Sequence, residues 1–175
     1  MILKLAYYGD PILRTKTMPV EVVNDEVRAL VKNMIATMQS IPNGVGLAAP
    51  QVHQSLAIFV VQFPDKNSKD KWVPGEIAVF INPRIIAVSE ESWRYSEGCL
   101  SIPGIYEEVP RPVQIQIQAQ NLQGETFVRT FIGYEARMCM HENDHLNGVL
   151  FIDRIDKDRR KAIESELRKI KKKHS

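Results

Sequence analysis

Apolar residues between positions 24 and 39 recur at the spacing of one face of an α-helix. They fall at i, i+3, i+4, i+7, i+8 and i+11, and they are Val27, Leu30, Val31, Met34, Ile35 and Met38. Asn24 is a suitable N-cap, and Asp25 and Glu26 place negative charge where the helix dipole favours it. The pattern predicts an amphipathic helix over 24–39 that packs one face on a core.

The middle of the chain is predicted to form strands. Short apolar runs at 56–62 and 77–81 flank a polar loop that is rich in Lys and Asp. The segment 113–119 alternates apolar and polar residues with a period of two, as half-buried strands do. NLQG at 121–124 then turns the chain back into the apolar segment 126–132, which predicts a hairpin.

Two more helices are predicted, over 134–147 and over about 156–173. Strands that are grouped together, with helices before and after them, favour an α+β fold over alternating βαβ units. The chain has neither an internal repeat nor a flexible linker. We therefore expect residues 1–175 to form a single domain.

Composition narrows the class of protein. Hydrophobic residues make up 44% of the chain and charged residues 25%, which is ordinary for a globular protein in water. No apolar run approaches the roughly 20 residues that cross a bilayer, so no membrane partner is expected. The first residues show no basic leader or cleavage site, which favours the cytosol. Two cysteines are too few for a disulfide scaffold, and Cys139 is expected to be an ordinary half-buried thiol.

The net charge of +2 hides an uneven distribution. The segment 157–175 carries nine Lys or Arg against three Asp or Glu, a net charge of +6, which leaves about −4 for the rest of the chain. Such a segment is typical of a solvated helix, or of a weak docking site for a polyanion such as RNA. Nothing in the sequence indicates a DNA partner.

Candidate chemistry is concentrated in MHENDHLNG at 140–148. His141 and His145 are four residues apart, so on a helix both imidazoles reach one metal ion. Glu142 follows the first histidine, and Gly148 is suited to the residue after the helix end. The same sequence motif is also compatible with two surface histidines that bind no metal. A catalytic site of this type needs a third protein ligand and an open position for water.

The sequence pattern does not decide which residue is the third metal ligand. Downstream, Glu164 and Glu166 lie at a suitable distance, although salt bridges along a basic helix also explain them. Upstream, Cys99 lies in EGCLSIPG at 97–104, which predicts a tight bend in which a thiolate is accessible. The segment NGVGLAAPQ at 43–51 adds two glycines that allow another backbone to approach closely.

Three of these stretches, in this order, resemble the motifs of the peptide deformylase family. They are GVGLAAPQ at 44–51, EGCLS at 97–101 and MHENDHLNG at 140–148, and GDPILR and GVLFIDRI add further similarity. The resemblance implies an α+β fold in which short antiparallel sheets surround a central metal-binding helix. It also implies removal of the formyl group from the N-terminal formylmethionine of new polypeptides, with release of formate. The residue before the first histidine is usually Gln in the family, and here it is Met140.

The resemblance also assigns the roles of the metal site. It implies that Cys99, His141 and His145 bind one divalent ion, which is Fe²⁺ in cells and is readily replaced by Zn²⁺, Ni²⁺ or Co²⁺ in purified protein. The ion would lower the pKa of a water molecule, and Glu142 would act as the general base. The side-chain amide of Gln51 and the backbone N–H of the residue after Cys99, Leu100, would stabilise the oxyanion.

Substrate contacts follow from the same resemblance. Gly46 would form backbone hydrogen bonds with the nascent chain by strand addition, which makes recognition largely independent of side chains beyond the first. Val45 and Met138 are candidates for the pocket of the methionine side chain, although a plain core role explains Met138 equally well. Glu97 and Asp144 would either orient the histidines or form ordinary salt bridges to Arg111 or Arg137.

Two other functions compete with deformylation. One is a zinc endopeptidase in which Glu164 is the third ligand. The other is a weakly active family member, altered at Met140, that binds nascent chains or ribosomes through the basic C-terminal helix. In the family this helix can contact the ribosome.

Overall fold

The computed structural model describes residues 1–175, which form two antiparallel sheets and four α-helices. The helices are α1 (Asp25–Ser40), α2 (Tyr134–Leu146), α3 (Lys157–Ala162) and α4 (Glu164–His174). The strands are β1 (Gly46–Ala48), β2 (Ile58–Lys66), β3 (Trp72–Val88), β4 (Ser92–Cys99), β5 (Ile102–Pro112), β6 (Gln114–Gln120) and β7 (Thr126–Ile132). Short 3-10 helices occupy Pro11–Arg14, Ala49–Val52 and Phe151–Asp153. The prediction of an α+β fold is confirmed.

Five strands form the larger sheet in the order β1-β2-β3-β6-β7, and β4 and β5 form a separate two-stranded sheet. Every neighbouring pair of strands is antiparallel. The strand β1 lies at one edge of the larger sheet, where its second side carries no strand. The helix α2 packs against this sheet and contacts β1, β2 and β7.

The helix α1 forms where the apolar spacing predicts it. The side chain of Asn24 accepts a hydrogen bond from the backbone N–H of Val27 at 3.0 Å, so the predicted N-cap is confirmed. The apolar face buries Val31 and Met34 fully against residues of β1 and β2. This contact fixes the position of the chain that leaves α1 and enters the edge strand.

The hairpin of β6 and β7 also agrees with the pattern. Ile115 and Ile117 are fully buried, and their cluster includes Phe80 of β3 and Phe131 of β7. The same cluster contains residues of α2, so the hairpin supports the helix that carries both histidines.

Some predicted bounds differ from those of the structure, and two strands have no predicted counterpart. The strand β3 runs from Trp72 to Val88 rather than over 77–81, because its polar residues still pair with β2 and β6. The strands β4 and β5 were not predicted at all. The predicted helix over 156–173 is two helices, since Ile163 between them has φ −93° and ψ 2° and is buried in a core cluster. None of the helices is long and apolar enough to span a bilayer.

Candidate metal centre and active site

The helix α2 presents His141 and His145 on one side, as the spacing predicts. Their ring centroids lie 5.2 Å apart. The helix ends directly afterwards, and Gly148 has φ +70°, a backbone conformation that glycine adopts without strain. The pair is not a surface pair, since His145 is only 1% exposed and the His141 side chain 11%.

The turn between β4 and β5 brings Cys99 to the two histidines. Cys99 pairs with Ile102, so Leu100 and Ser101 form a two-residue hairpin turn. The Sγ atom of Cys99 lies 3.3 Å from Nε2 of His145. One ligand atom from each of Cys99, His141 and His145 lies within 4.8 Å of the others.

The alternative ligand lies elsewhere. Glu164 accepts hydrogen bonds from Arg160 and Arg168 along its own helical surface. These are the i, i+4 salt bridges that explain a carboxylate on a basic helix. Glu164 is absent from the group of residues able to hold an ion.

The donor set fits one divalent transition-metal ion. A thiol and two imidazoles suit iron, zinc, nickel or cobalt, and three protein ligands leave room for a further one. Burial lowers the pKa of His145 well below its ordinary value, so its imidazole is neutral and able to donate a lone pair. Burial would also lower the pKa of His141, but Cys99 and Glu97 raise it well above its ordinary value. The thiol and the carboxylate beside His141 therefore favour a positive charge at this position, which a bound metal ion would supply.

Glu97 orients one histidine and also forms salt bridges to arginines. Both of the roles that the sequence left open therefore apply to it. Its Oε1 lies 2.8 Å from Nδ1 of His141. Arg111 donates to both of its oxygens at 2.6 and 2.8 Å, and Arg137 donates at 2.6 Å. Burial alone would raise the pKa of Glu97, but the hydrogen bonds from Arg111 and His141 outweigh it and hold that pKa well below its ordinary value. The carboxylate thus stays ionised and holds the His141 ring.

The side chain of Asp144 makes no hydrogen bond to a histidine. It accepts a hydrogen bond from Arg111 at 2.9 Å and two from Arg154 at 2.6 Å. Only the salt-bridge alternative applies to this residue, and Arg111 joins it to Glu97. Arg154 is a partner that the sequence did not indicate.

Glu142 is buried and unpaired beside the edge strand. Only 6% of the residue is exposed, and its Oε2 atom is buried without a hydrogen-bond partner. Burial raises the pKa of Glu142 to about 7. A Cβ atom added to Gly46 would lie 2.9 Å from its Cδ, so the glycine is what makes room for this carboxylate.

Two hydrogen-bond donors lie beside the cysteine, one from a side chain and one from the backbone. The Oε1 of Gln51 accepts from the backbone N–H of Ala48 at 2.9 Å, which fixes which end of the amide faces Cys99. Its Nε2 then lies 3.1 Å from Oγ of Ser101 and 3.5 Å from Sγ of Cys99. The backbone N–H of Leu100 donates to no protein acceptor.

A cavity of about 660 Å³ opens onto these groups. Val45, which is 41% exposed, and the buried Met138 both line it, and Met138 also belongs to the core cluster. Met140 does not line the cavity and packs in that core cluster. Cys139 is fully buried rather than half-buried, and burial raises the pKa of its thiol well above the ordinary value.

Comparison with known proteins identifies the family of the chain. Residues 2–161 match the family model of polypeptide deformylase. The chain belongs to the polypeptide deformylase family. A peptide deformylase of Pseudothermotoga lettingae is 42% identical over 167 residues, which are 95% of this chain and 91% of that protein. One from Acinetobacter baumannii (strain SDF) is 41% identical over 169 residues, 97% and 92% of the two chains.

Solved structures agree with the sequence match. The peptide deformylase of Ehrlichia chaffeensis has a TM-score of 0.88 at 34% identity and covers 99% of this chain and 97% of its own. A Met-Ala-Ser-bound peptide deformylase of Acinetobacter baumannii has a TM-score of 0.81 at 36% identity, with 89% and 99% coverage. A plant peptide deformylase has a TM-score of 0.88 at 37% identity, with 98% and 90% coverage.

Membership decides between the candidate functions. The chain is a metal-dependent hydrolase that removes the formyl group from the N-terminal methionine of newly made polypeptides. Neither the endopeptidase nor the weakly active, binding function is favoured.

Several residues of the site escaped the sequence analysis. Ser101 contacts the Gln51 amide, and the motif EGCLS offered a signal for it. Tyr7, Lys173 and His174 line the cavity from the two ends of the chain, and no local pattern indicated them. They reach the site only through tertiary packing.

Proposed function

We propose that deformylation takes place in this cavity, with Cys99, His141 and His145 holding one divalent ion. The observation that carries the proposal is the convergence of these three ligand atoms within 4.8 Å. Glu142, a buried carboxylate without a partner, lines the same cavity. Structural metal sites are normally closed by a fourth protein ligand, whereas catalytic sites keep a position open.

Fe²⁺ is the proposed ion in cells, with Zn²⁺, Ni²⁺ or Co²⁺ as replacements in purified protein. One thiolate and two imidazoles accept all four, so the supply of metal decides among them. When bound, the ion supplies Lewis-acid chemistry and lowers the pKa of water toward neutrality. Glu97 supports the site by holding the ring of His141 through Nδ1, which leaves Nε2 for the ion.

Glu142 is the proposed general base and acid. Its carboxylate accepts a proton from water as the water oxygen attacks the formyl carbon. It then delivers that proton to the nitrogen of the leaving amine, so that formate and a free N-terminus are the products. Having no hydrogen-bond partner in the protein, the carboxylate is free to make both contacts.

Gln51 and Leu100 are the proposed donors to the oxyanion. The Gln51 amide is preorganised, because Ala48 holds its oxygen and the amide nitrogen faces the turn of Cys99. Leu100 offers the backbone N–H next to the cysteine. Donors that are already oriented stabilise the developing charge without the cost of reorganisation.

Gly46 is proposed to bind the peptide backbone by strand addition. Residue pairs of an antiparallel ladder alternate between hydrogen-bonded and non-hydrogen-bonded pairs. The N–H of Gln62 donates to the carbonyl of Val45 at 2.8 Å, so the next pair, Gly46 and Val61, is of the other kind. Both backbone polar groups of Gly46 therefore point away from β2, toward the open edge of the sheet.

Val45 and Met138 are proposed to contact the methionine side chain of the substrate. Both line the cavity, and Met138 adds a flexible apolar surface to which a thioether fits well. The Met-Ala-Ser-bound structure of the Acinetobacter baumannii relative supports this proposal, because its peptide begins with methionine.

The cytosol is the proposed compartment. The ribosome is a proposed partner of α3 and α4, because residues 157–175 carry nine Lys or Arg against three Asp or Glu. Co-sedimentation with ribosomes at rising salt tests this, since binding through phosphate contacts falls steeply with salt concentration. Association that is insensitive to salt would contradict a phosphate-contact mechanism.

Formate release from formyl-Met-Ala-Ser, with metal analysis of the same samples, tests the proposed site. Glu142→Ala is expected to keep the metal and lose activity. Cys99→Ala is expected to lose both, and the matched control Glu164→Ala to lose neither. Full activity in Glu142→Ala, or metal lost only in Glu164→Ala, would contradict the assignment.

A further inference from the structure

The end of α4 forms part of the wall of the cavity. Lys173 and His174 line it together with Leu5 and Tyr7 of the N-terminal segment. The ring of His174 stacks on Tyr7 with centroids 3.7 Å apart and an interplanar angle of 15°. The last turn of the helix is therefore attached to the N-terminal segment rather than free in solvent.

That N-terminal segment lies directly beside the proposed oxyanion donors. The N–H of Ala6 donates to the carbonyl of Gln51 at 2.8 Å, and the N–H of Tyr8 donates to the carbonyl of Ser101 at 2.9 Å. Tyr7 lies between these two contacts. The stacking of His174 on Tyr7 thus places the end of α4 next to the reacting part of the cavity.

Two other contacts hold α4 in this position. Leu167 is fully buried in the core cluster that also contains Ile163, and Ile170 packs against the same cluster. The alkyl stem of Lys171 lies close against Gly9, since a Cβ atom on that glycine would lie 3.0 Å from the Lys171 Cδ. The contact of Lys171 with Gly9 precedes Lys173, and the contact of His174 with Tyr7 follows it. The backbone of Lys173 is therefore held in a defined position.

Lys173 is the one exposed charge of the cavity wall that lacks an ion pair. Among the other charged residues of the wall, Glu97 and Arg137 are buried and paired with each other. Glu142 is buried. Lys173 is exposed and takes part in no salt bridge. The neighbouring residues add to the positive charge, since the last eight residues, RKIKKKHS, contain no acidic side chain.

We propose that Lys173 determines specificity by attracting an acidic side chain among the residues that follow formylmethionine, and that His174 positions it. This inference rests on the proposed placement of the peptide in the cavity. Strand addition at Gly46 recognises only the backbone, so it leaves the downstream side chains to groups such as Lys173. An exposed ammonium attracts a carboxylate more strongly at low ionic strength.

The test compares matched formylated peptides that differ only by Glu or Gln. The pairs are formyl-Met-Ala-Glu-Ser with formyl-Met-Ala-Gln-Ser, and formyl-Met-Glu-Ala-Ser with formyl-Met-Gln-Ala-Ser, all amidated at the C-terminus. In at least one pair we expect kcat/KM to favour Glu by about two- to fivefold at low salt, the range of an exposed ion pair. The preference should lie mainly in KM and should shrink at high salt.

Charge reversal identifies the residue responsible. Lys173→Glu is expected to invert the Glu-to-Gln ratio, whereas Lys172→Glu, one residue away and not on the cavity wall, should preserve it. His174→Ala is expected to reduce the ratio, and His174→Phe, which retains an aromatic ring for Tyr7, to restore it. These ratios are internal to each variant, so a loss of folded protein does not change them.

Three results would overturn the inference. They are equal turnover of both members of each pair by the wild-type protein, a preference that persists in Lys173→Glu, and equal effects of Lys172→Glu and Lys173→Glu. A wild-type protein that hydrolysed no formylated peptide would instead refute the proposed function and this inference with it.

Discussion

Alanine at position 46 tests how closely Glu142 is held beside the edge strand. The added Cβ atom would lie 2.9 Å from Cδ of Glu142 and 3.1 Å from Cγ, whereas ordinary van der Waals contact begins at about 3.4 Å. The carboxyl carbon must therefore retreat by at least about 0.5 Å, and the oxygen nearer the strand by more. The backbone groups of residue 46 that face the open edge are unchanged.

The expected effect is a fall in kcat of about 10- to 100-fold. A displacement of about 1 Å in a positioned group costs on the order of 100-fold in rate. This range corresponds to about 1.4 to 2.7 kcal/mol of transition-state stabilisation. KM should change little, because Gly46→Ala keeps the proposed backbone contacts to the peptide.

Steady-state formate release from formyl-Met-Ala-Ser measures kcat and KM separately. Glu142→Asp is the matched background, since its shorter side chain withdraws the carboxylate from the added methyl group. Adding Gly46→Ala to Glu142→Asp should lower kcat by less than about twofold. Such a smaller loss would show that the two residues are energetically coupled. An equal loss in both backgrounds, or a rise in KM with kcat unchanged, would refute this reasoning.

The remaining predictions concern stability. Glu97→Gln should lower the free energy of unfolding by about 3 to 5 kcal/mol in urea titration, because Arg137 loses its one carboxylate partner and Arg111 keeps only Asp144; a loss below 1 kcal/mol would contradict this. Phe80→Ala should cost about 3 to 5 kcal/mol in the same assay, since Phe80 is fully buried. Asn24→Ala should cost about 1 kcal/mol through the lost N-cap, with Asn24→Ser near neutral as its control.

The local pattern of apolar residues was sufficient to predict an element where one of its faces is mostly apolar. The helix α1 and the β6–β7 hairpin are such cases, because every buried position falls on one face at the period of the element. The strand β4, SWRYSEGC, has a single buried residue, Glu97, so its pattern carries no apolar alternation. The interruption at Ile163 likewise has neither glycine nor proline to mark it. There tertiary packing of an isoleucine overrides a helical sequence.

The same distinction applies to the site. His141 and His145 are neighbours on one helix, so their spacing alone indicated a metal site. The motif around Cys99 indicated it as the third metal ligand, whereas spacing alone left Glu164 as an alternative ligand. Arg154 and Lys173 had no signal, because long charged side chains on polar segments look alike until the fold places them.

The position of Cys99 has a consequence for handling the protein. Cys99 belongs to the two-stranded sheet, whereas His141 and His145 belong to a helix packed on the five-stranded sheet. An ion held by all three would cross-link the two-stranded sheet to this helix, and its binding energy would add to the free energy of unfolding. The melting temperature would then report the metal content of a preparation, and a chelator would lower it before any peptide is added.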